Sequence, residues 1–268
     1  MTMALTATAS AARELWDCGD YTVVGTRFAS IAEDLCETAG VRGGHRVLDV
    51  ATGHGNTALA AARRDADVVA EDIAPSLIAR AAERARVDGL AITFREGNAE
   101  AIDAADRSFD IVTSSLGVQF AGDQQAAAAE LIRVCRPGGR IALACWAPHD
   151  FYAELPALVW DFAPPPPTAP SPMTWGTEDG LRTLLGPSVR LTVHARTFRF
   201  HARSIDRYLE LVLPSFPPFV RLAQQLDPRR HALFAARLSD LLHVWNEADD
   251  GTLVLPMTYV VAIGDLVG

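Results

Sequence analysis

Short aliphatic runs alternate with longer amphipathic stretches over the first 146 residues. The first run contains Val47, Leu48 and Val50, which suits a strand buried on both faces. Upstream of this run, an apolar helix face is predicted from Phe28, Ile31 and Leu35, which recur at helical spacing. Strands that alternate with helices are typical of an α/β fold built on a parallel sheet. The predicted strands are 47–50, 67–71, 91–96, 111–114 and 140–146.

Beyond residue 147 the pattern changes. Residues 191–201 alternate between polar and apolar side chains, which predicts a half-buried antiparallel strand, and 253–263 predict a last strand. About fifty residues lie between these two strands, and their spacing predicts helices, the first of them capped by Ser204. We expect this insertion, 204–247, to cover a pocket as a helical cap, or else to form a dimer interface with the same apolar faces.

The turn Thr52-Gly53-His54-Gly55 joins the first strand to a predicted helix. Its glycines let the backbone turn sharply and approach a ligand closely, and the helix points its positive end at the turn. This arrangement predicts a nucleotide site. The spacing also satisfies the dinucleotide pattern G-x-G-x-x-G/A. However, Asp49 at the end of the strand would repel a pyrophosphate, whereas it would suit a ligand carrying an ammonium and a sulfonium.

The segment 47–55 resembles the first motif of the class I S-adenosylmethionine-dependent methyltransferases, in which an acidic residue precedes the glycines. The resemblance assigns Asp49, Gly53 and Gly55 to cofactor binding. Ala51 stands where the family usually has a third glycine, and we assign it to the same site on the expectation that its φ is negative.

Two further segments resemble family motifs that contact the adenosine. The acid that binds the ribose hydroxyls maps onto Asp72, at roughly the expected 20 residues from the loop, with Glu71 as the competing candidate. Ile73 is then expected against the adenine ring. The sequence Gly-Asn98-Ala99-Glu stands where the family commonly has G-D-A-E. The amide oxygen of Asn98 can accept the hydrogen bond that the family's acid accepts from the adenine amino group.

The motifs match in order from residue 46 to residue 146, including an R-P-G-G turn before the fifth strand. The resemblance implies a Rossmann-like doubly wound sheet of seven strands, mostly parallel with an antiparallel final strand, plus the helical cap inserted before it. We expect a single methyltransferase domain over 1–268, with N-terminal lid helices at 11–40 and a cofactor-binding core at 41–148.

Other site residues follow from their places at the carboxyl ends of strands or in the predicted lid and cap. Tyr21, Ser115 and Leu116 are expected at the cofactor. The residues expected at the acceptor are Trp16, Gln119, Phe120, Trp146, Phe216 and Phe219. His149, after the fifth strand, is the candidate general base, because an oxygen or nitrogen acceptor can require a base with a pKa near neutrality. An acceptor activated by its own hydroxyl would need no histidine.

Composition limits the substrates and the setting. Twenty-four basic residues against thirty-three acidic ones give a net charge of −9, which disfavours a nucleic-acid substrate. The four cysteines lack metal-like spacing, and no clustered metal ligands are visible, so we expect free thiols and no metal. The start of the chain does not resemble a secretory signal, and no apolar run is long enough to span a membrane. We therefore expect a cytoplasmic protein without a membrane partner, and a homodimer is compatible with the sequence.

The resemblance is greatest to the branch with ubiquinone- and menaquinone-biosynthesis C-methyltransferases and natural-product methyltransferases. It implies in-line attack on the sulfonium methyl of S-adenosylmethionine by a small, largely apolar molecule of secondary metabolism or quinone-like biosynthesis. Two alternatives stay open. One is a protein of this fold that binds S-adenosylmethionine but catalyses another reaction or acts as a scaffold. The other is a nicotinamide-dependent oxidoreductase, which would leave Asp49 and the segment around Asn98 unexplained.

Overall fold

A computed structural model describes residues 6–166 and 169–267 of the chain. The predicted single domain over 1–268 includes residues 1–5, 167–168 and 268, which lie outside the described residues. Seven strands of the described part form one sheet. They are β1 Arg46–Val50, β2 Asp67–Asp72, β3 Ile92–Glu96, β4 Phe109–Ser115, β5 Cys135–Trp146, β6 Val189–Ala202 and β7 Leu253–Leu266.

Eleven α-helices and three short 3₁₀ helices (Thr26–Phe28, Val118–Phe120 and Pro172–Gly176) connect the strands in the described residues. The α-helices are α1 Ala7–Trp16, α2 Thr22–Gly25, α3 Ala29–Thr38, α4 Asn56–Ala62, α5 Pro75–Val87, α6 Gln124–Val134, α7 Phe151–Phe162, α8 Glu178–Leu185, α9 Ile205–Val212, α10 Pro217–Gln225 and α11 Pro228–Trp245. As predicted, Ser204 caps α9, since its hydroxyl accepts a hydrogen bond from the Arg207 amide. No helix among these is both long enough and apolar enough to cross a membrane.

The strand order is β3-β2-β1-β4-β5-β7-β6. β1 pairs in parallel with β2 on one side and with β4 on the other, so the order reverses next to β1. Open α/β sheets bind ligands at such a reversal, outside the carboxyl ends of the strands. β7 runs antiparallel to both β5 and β6. The predicted Rossmann-like sheet, mostly parallel with an antiparallel final strand, is confirmed.

Both faces of the sheet are covered by apolar layers. Val47 packs in the layer that includes α3, α4 and the late helices, whereas Leu48 and Val50 pack in the opposite layer with α6 and α8. All three side chains are fully buried, as the aliphatic run predicts. The four cysteines are free thiols, and three of them are buried.

β5 begins earlier than the sequence indicates. The predicted R-P-G-G turn lies inside the strand, where the pairing with β4 shifts register between Phe109 and Ile111. Gly138 takes a φ of +70° there, which explains why a glycine stands at this irregularity. The strand prediction at 140–146 therefore covers only the regular half of β5.

The helical insertion packs on other helices. α11 packs against α7 and α9, and α10 packs against α1. In its interior Phe219 and Phe234 meet edge to face, with their ring centroids 5.3 Å apart. β6 and β7 pair over their whole length, and the last pair before the insertion is Ala202 with Leu253. The chain therefore leaves the sheet after Ala202 and returns to it at the directly paired Leu253.

Candidate active site

Two cavities lie outside the carboxyl ends of the parallel strands. The first is formed by the glycine loop and by residues that follow β2, β3 and β4. Nine of the eleven residues predicted at the cofactor line it: Tyr21, Ala51, Gly53, Asp72, Ile73, Asn98, Ala99, Ser115 and Leu116. Asp49 and Gly55 are not among the described residues of its wall. That these nine bind the cofactor stays a prediction.

The wall between β1 and β4 has an unusual backbone. Ala51 has a φ of +53° and Leu116 a φ of +58°, both in the left-handed region that costs a residue with a side chain about 1–2 kcal/mol. The expectation of a negative φ at Ala51 is wrong. Gly117 lies against Ala51, and a Cβ on Gly117 would come within 2.5 Å of the Ala51 carbonyl oxygen. A side chain is therefore excluded at Gly117, a residue that sequence reasoning missed.

Asp49 faces the interior of the fold. It is 0% exposed, and its carboxylate accepts hydrogen bonds from the hydroxyls of Thr52 and Thr113 and from the Ala58 amide. Burial raises the pKa of this carboxyl to about 7 despite these bonds. Its oxygens join the loop to β4 and to the first turn of α4. That Asp49 also takes part in cofactor binding stays a prediction.

Asp72 and Glu71 lie next to each other on β2 and point to opposite sides. Asp72 lines the first cavity and accepts hydrogen bonds from the Gly53 amide at 2.7 Å and the Ala74 amide at 2.9 Å. Burial raises its pKa to about 6. Glu71 is 1% exposed and is bound by Arg95, at 3.0 Å from Nε and 2.8 Å from Nη2. Placement favours Asp72 over Glu71 for contact with a ligand.

Asn98 begins a turn after β3. Its side-chain oxygen accepts a hydrogen bond from the Glu100 amide at 3.1 Å, so one of its two lone pairs is already used. Glu100 also lines the first cavity and accepts from the Gly122 amide at 2.8 Å. The sequence analysis named Glu100 only as part of a motif. A carboxylate next to the predicted adenine position was the signal that could have identified Glu100 as a residue of the cavity wall.

His54 in the glycine loop is buried on the wall of the first cavity. Neither ring nitrogen has a hydrogen-bond partner among the described residues. The Tyr21 ring meets it edge to face with centroids 5.5 Å apart, and Gly25 is a glycine because its Cβ would lie 2.3 Å from the imidazole. Burial and Arg84 lower the pKa of His54 to about 4, which leaves the ring neutral near pH 7.

Gly55 serves the backbone and does not line the cavity. It caps α4 with a φ of +91°, and a Cβ there would lie 3.0 Å from the Cβ of Ala81 on α5. The position thus combines a left-handed backbone with close approach to a neighbouring helix. The assignment of Gly55 to cofactor binding stays a prediction.

The second cavity has a volume of about 600 Å³ and is lined mainly by apolar and aromatic side chains. All six residues predicted at the acceptor line it: Trp16, Gln119, Phe120, Trp146, Phe216 and Phe219. Trp16, Tyr21, Leu116 and Phe120 belong to both cavities, so the two share a wall. None of the described lining residues of the second cavity is Asp, Glu, His, Lys or Arg.

Several residues of this second cavity were missed. Tyr152 stacks on Trp146 with ring centroids 4.3 Å apart, and Phe28 meets Trp146 edge to face at 5.3 Å. Met173, from the 3₁₀ helix before α8, closes another part of the wall. Phe28 was predicted only as a core residue. No sequence signal distinguished a phenylalanine of the cavity wall from a phenylalanine of the core at this position.

His149 is exposed in the turn after β5. It belongs to neither cavity wall among the described residues. The chain turns outward here, and the neighbouring Asp150 takes a φ of +52°. The hypothesis that His149 is the general base is therefore not supported by its position, because a base must come within hydrogen-bond reach of the acceptor.

Comparison with known proteins gives the family. A family model described as a methyltransferase domain matches residues 47–139. An uncharacterized protein of Mycobacterium bovis is 41% identical over 251 residues, covering 87% of this chain and 90% of the relative. A second relative from that organism is 42% identical over 175 residues. This alignment covers 65% of this chain and 64% of the relative.

Two further proteins add to this result. A demethylmenaquinone methyltransferase of Thermus thermophilus is 37% identical over 123 residues, covering 45% of this chain and 49% of that protein. The phosphoethanolamine N-methyltransferase 2 of Haemonchus contortus, solved with phosphomonomethylethanolamine and S-adenosylhomocysteine, shares the fold with a TM-score of 0.60. It is 16% identical, and the alignment covers 98% of this chain and 61% of that one. Sheet order, glycine loop and relatives together place the chain in the class I S-adenosylmethionine-dependent methyltransferases.

Proposed function

We propose that this methyltransferase acts on a small, largely apolar molecule that occupies the second cavity. The observation that carries the proposal is the shared wall. The cavity at the glycine loop, which also carries Asp72 and Asn98, adjoins an apolar cavity of about 600 Å³ across Trp16, Tyr21, Leu116 and Phe120. Ligand pockets of this size and apolar character suit a small organic molecule. The absence of charged side chains from the described lining argues against a charged acceptor.

The first cavity fits the family's cofactor. The Asp72 carboxylate reaches its wall and suits ribose hydroxyls, while Ile73 and Leu77 supply an apolar surface for a purine. Asn98 suits the polar edge of the base, and Gly53 leaves room for close approach. When bound, S-adenosylmethionine supplies an activated methyl group on a sulfonium.

The chain's own contribution is alignment and exclusion of water. α1 and α10 carry Trp16 and Phe219 to the second cavity, and the two helices pack against each other. Holding reactants in line can lower the barrier of a two-substrate reaction by about 7–11 kcal/mol. No histidine or carboxylate lines the second cavity in the described residues. We therefore infer that the acceptor is reactive by itself, for instance through its own hydroxyl, without a histidine base.

The likeness to the demethylmenaquinone methyltransferase of Thermus thermophilus supports a quinone-like or secondary-metabolite acceptor. The alignment covers 45% of this chain. The aromatic walls around Trp146, Tyr152 and Phe216 are consistent with a ring-containing molecule.

Calorimetry and a transfer assay test the proposal. We expect S-adenosylmethionine and S-adenosylhomocysteine to bind, and NAD to bind far more weakly. Asp72→Ala should weaken cofactor binding about tenfold or more, since a hydrogen bond to a charged group contributes about 1.5–3 kcal/mol. Glu71→Gln, which replaces a carboxyl bound by Arg95, is the matched control and should bind normally. Tighter binding of NAD would overturn the cofactor assignment.

Transfer of a labelled methyl group to a panel of apolar ring compounds then tests the reaction. Cofactor binding without transfer to any of them would favour the alternative of a non-methylating protein of the same fold.

The cap hypothesis has its own test. Phe216→Ala truncates a side chain on the wall of the second cavity, and we expect it to raise the acceptor KM while leaving the cofactor Kd unchanged. Leu233→Ala on α11 is the control, because Leu233 is 54% exposed. If Phe216→Ala changes only sedimentation, the insertion is an interface between two copies of the chain.

A further inference from the structure

Gln119 is a buried polar residue of the second cavity whose side chain is only half used. It lies in the 3₁₀ helix that follows β4 and is 1% exposed. Its Oε1 accepts a hydrogen bond from the Trp146 backbone amide at 2.8 Å. Its Nε2 is buried and has no hydrogen-bond partner among the described residues.

The orientation of this amide is fixed by its partner. A backbone N–H can only donate, so the Gln119 atom that faces Trp146 must be the oxygen. The NH₂ group then necessarily points away from the end of β5. It carries two N–H donors, is neutral, and belongs to a residue of the cavity wall. This donor has no partner among the described residues, and the residue that carries it belongs to the wall of the second cavity.

The surroundings limit what this donor can meet. Leu116 and Phe120, close to Gln119 in sequence, line both cavities, so the amide lies near the wall that separates cofactor and acceptor. Tyr152 also lines the second cavity, and burial holds its pKa well above the usual value, so its phenol is neutral as well. A charged ligand would find no counter-ion among the described lining residues.

We propose that Gln119 selects an acceptor that is uncharged, contains a ring, and carries a carbonyl or similar oxygen that accepts a hydrogen bond from Nε2. The choice of methylated molecule rests on the proposed function, but the binding preference does not. A buried donor left without a partner costs about 1–3 kcal/mol. A ring compound that lacks the oxygen therefore binds more weakly than an otherwise similar one that has it.

The test compares 1-tetralone with tetralin, two bicyclic compounds of nearly equal shape that differ in one carbonyl oxygen. Binding to the full chain is followed by tryptophan fluorescence, since Trp16, Trp146 and Trp160 line the cavity. We expect the ketone to bind about 5- to 150-fold more tightly, which is the buried-donor cost converted to a ratio. Equal affinities, or no binding of either compound, would overturn the proposal.

Two variants separate recognition from structure. Gln119→Met removes the donor and should reduce the ratio of the two affinities to about one. Gln119→Glu keeps an oxygen for the Trp146 amide but replaces the donor with a carboxyl whose pKa burial raises. The Gln119→Glu variant should lose the preference for the ketone at high pH, where the carboxylate has no hydrogen to donate. It should regain the preference at low pH, where the protonated carboxyl donates a hydrogen bond.

A merely structural role would change the binding of both compounds equally and leave their ratio as in the wild type, which would refute the inference. Methyl transfer is not measured in this experiment. A negative transfer assay would therefore count against the proposed function and leave the binding result intact.

Discussion

Replacing Asp49 with asparagine tests how the buried carboxyl at the end of β1 affects stability. Burial raises its pKa to about 7, whereas the same carboxyl in an unfolded chain titrates near 3.8. Between about pH 4 and pH 7 the folded state holds a proton that the unfolded state has released. The stabilisation from this group is therefore complete below the unfolded pKa and is lost as pH rises through the folded pKa.

The two pKa values set the size of the effect. A pKa raised from 3.8 to about 7 corresponds to about 4 kcal/mol between the two protonation states. Asparagine has no proton to release, retains an oxygen acceptor, and can donate its amide to the hydroxyl of Thr52 or Thr113. Between about pH 4 and pH 8 we expect the wild type to lose up to about 4 kcal/mol more unfolding free energy than Asp49→Asn.

Urea denaturation followed by circular dichroism at several pH values measures this difference. Other buried titratable groups are common to both proteins and largely cancel. Asp67→Asn is the control, because Asp67 is an exposed aspartate at the start of β2. Its pH profile should run parallel to that of the wild type. Parallel profiles for Asp49→Asn would refute the reasoning and would mean that the carboxyl is stabilised as fully in the fold as in water.

Three further predictions follow from single contacts. Arg95→Met leaves the buried Glu71 without its partner, so denaturation should show a loss of about 3 kcal/mol, which Glu71→Gln in the same chain partly restores. Gly117→Ala drives a methyl group into the Ala51 backbone and should cost about 1–3 kcal/mol, with weaker cofactor binding by calorimetry. His149→Ala should leave kcat and its pH profile unchanged, because the side chain is exposed outside both cavities. A drop of about a hundredfold or more in kcat would restore it as a candidate base.

The sequence predicted the sheet well because its signals are local. Aliphatic runs such as Val47–Val50 mark strands wherever the chain folds, and the predicted strand 47–50 lies within β1. Motif order also identified Asp72 as the acid at the first cavity. Strand alternation then explains why Glu71, one position earlier, points to the other side and binds Arg95.

The errors concern properties that depend on distant parts of the chain. Ala51 takes its left-handed φ where the chain lies against Gly117, sixty-six positions later in sequence, and this neighbour is not visible in the motif. Thr113, which donates a hydrogen bond to Asp49, comes from another strand, so the burial of the Asp49 carboxyl was not visible in the motif. The exposure of His149 depends on the path of a turn, which no periodicity records.

The pairing of Ala202 with Leu253 has a consequence for how this enzyme can diversify. The residues between them leave and rejoin the sheet at adjacent positions, so the register of β6 and β7 does not depend on their length or order. One segment can therefore be exchanged for another in a single recombination event, with the glycine loop and its strands untouched. Because Phe216 and Phe219 lie in that segment, such an exchange would replace part of the second cavity at once. The fold thus joins a fixed sheet to an inserted helical segment whose length can change, provided that a replacement keeps packing on α1 and α7.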